Sequence, residues 1–212
     1  MFVGNRMTRK VIAVSPESTI RDASRILQEN RIHHLPVVEG EELVGILSDT
    51  DIRKWILKEE KMVGEGMVSR RTGTVGEIMA RDVFTVNPWD TIEDALLILH
   101  RRRFGALPVV EGRKLVGIIT KADILAAFID TLRIEGIGGV RIEVILPRGA
   151  DSLLLLIQRL GEMQIEIRSL VLSPFREAFV VFLRIGTIDA TTVKTRLRES
   201  GFQVPELTDF LG

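Results

Sequence analysis

Two short stretches of this chain carry residue types in a spacing that can hold a phosphorylated sugar. They are Gly45-Ile46-Leu47-Ser48-Asp49-Thr50-Asp51 and Gly117-Ile118-Ile119-Thr120-Lys121-Ala122-Asp123. Each begins as an apolar, β-branched run, turns at Ser or Thr, and places an Asp three residues later, where an amphipathic segment begins. A strand ending in Ser/Thr-x-x-Asp and feeding a helix presents a hydroxyl, unpaired backbone N–H groups, the positive end of a helix dipole and a fixed carboxylate. Hydroxyl and N–H groups suit a phosphate, and a carboxylate can accept both hydrogens of a ribose diol.

The same spacing has a reading that needs no ligand. Ser/Thr-x-x-Asp is close to a capping box, in which side chain and backbone satisfy each other at a helix start. Thr19-x-x-Asp22 and Thr91-x-x-Asp94 share the pattern and read as ordinary helix starts. They serve as internal controls for the other two.

The elements that position these residues come in duplicate. A slide of 72 positions brings Met7 onto Met79, and it aligns Val14-Ser15-Pro16 with Val86-Asn87-Pro88 and Thr19-Ile20 with Thr91-Ile92. Leu35-Pro36-Val37-Val38-Glu39-Gly40 meets its second copy, Leu107 to Gly112, without a mismatch. Each copy reads as strand, helix, strand, strand, helix. The first strands are Val11–Val14 and Val83–Val86, and the first helices start at Thr19 and Thr91. Apolar runs 35–38 and 43–47, and again 107–110 and 115–119, are joined by four residues containing Gly, which is hairpin chemistry. Second helices follow at about 50–58 and 122–132. Neither copy reads as able to close a core alone, whereas two packed about a pseudo-twofold axis would leave equivalent clefts between them.

Residues 1–60 therefore form repeat one and 75–134 repeat two, around a solvated linker at 61–74. A Gly-rich joint at 135–139 precedes a third region, 140–212. Its order is strand (140–146), helix (152–164), strand (165–172), strand (178–185), helix opened by Asp189, and closing strand (202–204). This βαββαβ layout is ferredoxin-like, with both helices on one face of an antiparallel sheet. The fold class is α/β (α+β): two β-α-β-β-α repeats plus this domain.

On Met-x-x-x-Val, Thr-Ile-x-Asp-Ala, Leu-Pro-Val-Val-Glu and Gly-Ile-x-Ser/Thr-x-x-Asp, each present twice in register, residues 3–130 resemble a tandem pair of CBS domains. The resemblance implies adenosine-containing ligands (AMP, ADP, ATP or S-adenosylmethionine) in the clefts. Asp51 and Asp123 would take the ribose hydroxyls, while Ser48 and Thr120 would face phosphate. His33 and His34, just ahead of Leu-Pro-Val-Val, would reach phosphate in one cleft, where the second copy carries Gly105 and Ala106. Arg9 and Arg81 would line the cleft of the opposite repeat. The run 101–103 reads instead as solvated surface, since Arg and Lys favour helix C-termini in any case, and Lys121 reads as solvated surface too. Residues 140–210 resemble an ACT domain, although the usual Asn opening the second strand is absent. A CBS pair followed by ACT is also the layout of acetoin-utilisation proteins.

Composition narrows the function classes. There are 29 basic and 29 acidic residues, so no overall nucleic-acid footprint is expected. No Cys or Tyr occurs and only three His, which excludes disulfides, thiolate metal sites and Cys nucleophiles. No metal site and no required cofactor are expected. No apolar run approaches a membrane span, and the N-terminus lacks a signal-peptide core, so a cytoplasmic protein is expected. The leading expectation is a non-catalytic nucleotide sensor, a homodimer through faces including Trp55, Ile56 and Phe128, with a regulated enzyme as partner. The alternative is an interaction scaffold with empty clefts.

Overall fold

The computed structural model describes residues 1–63, 73–134 and 139–205, without the side chains of 59–63. Most of the expected linkers at 61–74 and 135–139 lies outside the described residues. Two compact units result, Met1–Leu125 and Ala126–Gly212.

In the first unit, α1 (Ile20–Asn30) starts where Thr19 accepts the Asp22 N–H and stops at Arg31, which turns left-handed at φ 53°. The hairpin β1 (His34–Glu39) and β2 (Glu42–Ser48) turns through Gly40 at φ +64°, a conformation with little steric cost only for Gly. Then α2 (Asp49–Val63) runs five residues past its expected end. The second copy repeats this as α4 (Ile92–Arg101), β3 (Ala106–Glu111), β4 (Lys114–Thr120) and α5 (Lys121–Thr131), preceded by a single turn, α3 (Val75–Ile78). The two hairpins join into one antiparallel sheet, β1-β2-β4-β3, at Glu42 and Lys114.

The expected first strands shrink to single parallel bridges, Val14 to Val37 and Val86 to Val109. Pro36 offers a carbonyl to the Val14 N–H at 3.1 Å but has no N–H to return, and Pro16 ends the run two residues on. A ladder without donors cannot lengthen.

The repeats exchange their opening segments. Val3 and Gly4 donate to the carbonyls of Asp90 and Pro88 in the second copy, at 2.9 and 2.8 Å. Val75 and Gly76 donate to those of Ser18 and Pro16 in the first, at 2.9 and 2.8 Å. Val75 and Met79 sit in the first core with Ile20, Leu27, Leu35, Leu47 and Ile52. A Cβ at Gly45 would meet the Met79 side chain, and one at Gly117 that of Met7. Each strand glycine makes room for the other copy's methionine. The core of one repeat is thus closed by the other.

The second unit contains β5 (Val140–Pro147), α6 (Ala150–Glu162), β6 (Ile167–Phe175), β7 (Ala178–Ile185) and α7 (Ala190–Glu199), the last capped by Asp189. Strand order is β5-β7-β6, and Gln203 bridges Ile145 on the outer edge of β5. The expected closing strand is this one bridge, which completes the ferredoxin-like order. Inward residues alternate along the strands: Ile142, Val144 and Leu146 of β5, and Val181, Leu183 and Ile185 of β7. They pack with Leu156 and Leu160 of α6 and Val193 and Leu197 of α7. Both helices therefore cover one face. The turn expected at 173–177 contracts to Arg176-Glu177, because β6 is an edge strand and tolerates Pro174.

Candidate functional site

A cleft of about 560 Å³ opens in the first unit, within the range of small-molecule sites. One side comes from repeat one: His34 at the start of β1, Ile46 and Ser48 on β2, and Asp49, Thr50, Asp51 and Lys54 on α2. The other comes from repeat two: the stretches 82–84 and 102–106, with Lys121.

At its polar end the Ser48 N–H and hydroxyl both donate to Oδ2 of Asp51, at 2.9 and 2.5 Å. The Asp51 N–H returns a bond to Ser48 Oγ at 3.3 Å. This is a complete capping box, and so is its partner, where Thr120 N and Oγ1 donate to Asp123 Oδ2 at 2.8 and 2.7 Å. The control pairs cap through their hydroxyls in the same way, Thr19 to Asp22 at 2.7 Å and Thr91 to Asp94 at 2.6 Å. The ligand-free reading of the spacing is therefore correct for all four. What separates Asp51 and Asp123 from both controls is the backbone N–H of Ser48 or Thr120, which also donates to the carboxylate. Among the described residues Oδ1 of Asp51, of Asp123 and of the control Asp94 accepts no hydrogen bond, whereas Oδ1 of Asp22 is taken by Arg25 at 2.9 Å. Asp51 has its free oxygen beside a cleft. Asp94 does not line that cleft, and neither do Thr120 and Asp123.

The two histidines part company. Neighbouring side chains at a strand start point to opposite sides. His34 lines the cleft, against Gly105, where a Cβ would collide with the imidazole. His33 points away, exposed, with Nδ1 3.3 Å from Asp49 Oδ2. Burial pushes the His34 imidazole below its ordinary value of 6.5, with Asp49 pulling the other way. Arg9 and Arg81 do not line this cleft either. Each guanidinium turns back on its own opening segment, donating to the carbonyls of Gly4 at 2.7 Å and Gly76 at 3.0 Å.

Several lining residues were not expected. Phe84 and Phe104 form an aromatic wall, ring centroids 5.6 Å apart, with the Arg102 guanidinium 4.6 Å from the Phe84 centroid. The 72-residue alignment held a signal for this wall, since Ile12 and Ile32 are the aligned residues. Arg102, Arg103 and Lys121, read from sequence as solvated surface, stand at the rim of the cleft. With Lys54 they give four permanent cations against the carboxylates of Asp49, Asp51 and Asp82. The aromatic pair, the hydroxyl and carboxylate, and the cations fit a base, a sugar and a phosphate respectively.

No metal-binding group of three or more His, Asp or Glu is found among the described residues, and no helix there is long and apolar enough to cross a membrane.

Comparison with known proteins points to the same stretch. The family model described as CBS domain matches residues 3–58 and again 75–130. The CBS domain pair of protein MJ0100, solved in complex with 5′-methylthioadenosine and S-adenosyl-L-methionine, superposes with a TM-score of 0.53 at 28% identity. That match covers 60% of this chain and 95% of that one. CBSX2, solved in complex with AMP, gives 0.53 at 30% identity over 61% and 96%. A structure described as a putative acetoin utilization protein (AcuB) from Vibrio cholerae gives 0.55 at 27% over 63% and 94%. Three uncharacterised proteins of Methanocaldococcus jannaschii match at 33% to 35% identity, and the aligned stretch spans 38% to 46% of their length.

Proposed function

Because this chain belongs to the CBS domain family through two repeats, at residues 3–58 and 75–130, we propose that it is a non-catalytic sensor of adenosine-containing nucleotides. The observation that carries the reading is the 560 Å³ cleft in which Asp51 Oδ1 stands free beside the Ser48 hydroxyl, opposite the Phe84 and Phe104 wall. The base lies against the two rings, and Asp51 accepts the ribose hydroxyls. Phosphate, or another charged tail, meets Ser48, the N-terminus of α2, His34 and the cations Lys54 and Lys121. Thr120 and Asp123 offer the same cap and the same free oxygen for a second nucleotide. Similar CBS pairs solved with AMP and with S-adenosyl-L-methionine and 5′-methylthioadenosine support the ligand class.

Residues 140–205 act in this reading as an ACT-like module that carries dimerisation or a second ligand. The supporting observation is the strand order around β5 with both helices on one face. The protein works as a homodimer in the cytoplasm, setting the activity of an enzyme partner, and itself performs no chemistry.

The test is thermal unfolding of the full chain with AMP, ADP, ATP and S-adenosylmethionine. At ~100 times its Kd one bound ligand adds about 2.7 kcal/mol. In a chain of this size that raises Tm by several degrees. A flat response to the whole panel at millimolar concentration would leave the scaffold with empty clefts as the answer.

A further inference from the structure

The sheet of the second unit has a face that its helices do not cover, and that face is chemically sorted into rows. Strand register sets Arg141 of β5 opposite Arg184 of β7, and Arg184 opposite Ser169 of β6. The next row is Glu143, Phe182 and Val171. Arg141, Ser169, Val171, Phe182 and Arg184 line a cavity of about 230 Å³, walled by Leu132 and Ile134.

The charges in the two rows do not balance. Arg141 is neutralised by Glu143 at 2.5 Å and lies over the Phe182 ring, 4.8 Å from its centroid. Arg184 is half-buried and has neither ion pair nor hydrogen bond among the described residues. Like charges directly opposite on adjacent strands are destabilising. A half-buried guanidinium beside a second one is the position an anion would relieve.

We propose that this cavity binds a small organic monocarboxylate with an apolar chain. Arg184 receives the carboxylate through its planar fork of donors, Ser169 adds a hydroxyl, and the chain lies on Phe182, Val171, Leu132 and Ile134. At about 30 Å³ per water-sized group the space holds roughly eight non-hydrogen atoms, the size of hexanoate. The apolar wall distinguishes this ligand from inorganic phosphate. No lining residue is acidic, and Glu143, in the next row, is already paired with Arg141. An α-ammonium would be desolvated without a partner, which selects against a zwitterionic amino acid. The proposal is independent of the nucleotide reading, because the residues of the two sites are separate.

Titration calorimetry on the full chain with hexanoate tests it, with leucine, hexylammonium and inorganic phosphate as controls. Saturable hexanoate binding is expected, weakened at least tenfold by Arg184→Gln and severalfold by Ser169→Ala, with adenine-nucleotide affinity unchanged in both. Arg184→Gln removes a like-charge contact, so its Tm should not fall. If it does fall, Arg184→Lys is the deciding variant, and the loss of the planar fork should still weaken hexanoate severalfold. Amide NMR of the parent should show hexanoate shifts centred on Ser169–Val171 and Phe182–Arg184. Four outcomes would each overturn the proposal: no saturable heat, equal affinity in the Arg184 variants, leucine or phosphate binding as tightly as hexanoate, or shifts centred elsewhere.

Discussion

The imidazole of His34 fills the space that any side chain at position 105 would need: a Cβ on Gly105 would lie 2.6 Å from His34 Nε2. One repeat's glycine therefore seats the other repeat's histidine in the cleft. Gly105→Ala should turn the ring out and weaken a phosphorylated nucleotide at this cleft, with little change for adenosine itself. Calorimetry with AMP and adenosine on parent and variant reads the difference. Equal losses for both ligands would remove His34 from the phosphate end.

The two oxygens of Asp51 divide structure from binding. Oδ2 belongs to the Ser48 cap, and Oδ1 is free. Asn retains one oxygen for the cap and loses the charge, so Asp51→Asn should keep most of the fold's stability. Charge-assisted hydrogen bonds contribute about 1.5–3 kcal/mol, so nucleotide affinity should drop about tenfold to more than a hundredfold. Asp123→Asn should disable a second, separate binding event. Asp94→Asn, in a cap away from the cleft, should bind like the parent. If all three bind like the parent, the motif is only a cap.

His34 also predicts a pH dependence. Its imidazole is held below 6.5, chiefly by burial, so the folded protein keeps it neutral where the unfolded chain has begun to protonate. Stability from this group is fully present above pH 6.5 and is lost as pH falls through the lowered folded value. A bound phosphate favours the protonated ring, so binding takes up a proton and nucleotide affinity should rise from pH 8 toward pH 6. Nucleotide titrations across that range, on parent and His34→Ala, measure it. An unchanged slope in the variant would assign the proton elsewhere.

The exchanged methionines are not equivalent in what surrounds them. A Cβ at Gly45 would meet both Met79 and the Ala80 carbonyl, the latter at 3.0 Å, whereas the three atoms nearest to one at Gly117 all belong to the Met7 side chain. Backbone cannot yield as a thioether can. Gly45→Ala should cost about 1–3 kcal/mol by overpacking, and Gly117→Ala clearly less. Urea unfolding of the two variants gives the order, and the reverse order would refute the argument.

Trp55, expected at a subunit interface, is partly buried and packs against the first repeat's core. Ile56 and Leu57 beside it stay 41% and 58% exposed, and Leu125 on α5 is 61% exposed. The expected Ile56 thus stays available for a dimer face, along with Leu57 and Leu125. Sedimentation should show a species of twice the 23.8 kDa chain at micromolar concentration. Leu57→Glu with Leu125→Glu should return it to monomer. A parent that sediments as monomer, with and without nucleotide, ends the proposal.

Much of this protein was legible in the chain itself, because duplication lets one half check the other. The hairpins around Gly40 and Gly112, the helix starts at Thr19 and Thr91, and the paired Ser/Thr-x-x-Asp motifs all follow from local backbone chemistry that a linear pattern records. So does the alternation of β5 and β7. What the pattern could not record is which copy a segment serves. Met7 and Met79 read as parts of their own repeats, yet each completes the other's core. His33 and His34 were indistinguishable neighbours until strand geometry sent only His34 into the cleft. Phe84, Phe104 and Arg102 come to face Ser48 and Asp51 only through the pairing of the two repeats. Hydrogen bonds to nearby residues are written in order along a chain, while contacts across a cleft depend on how whole elements pack, and that is decided by burial summed over the entire unit.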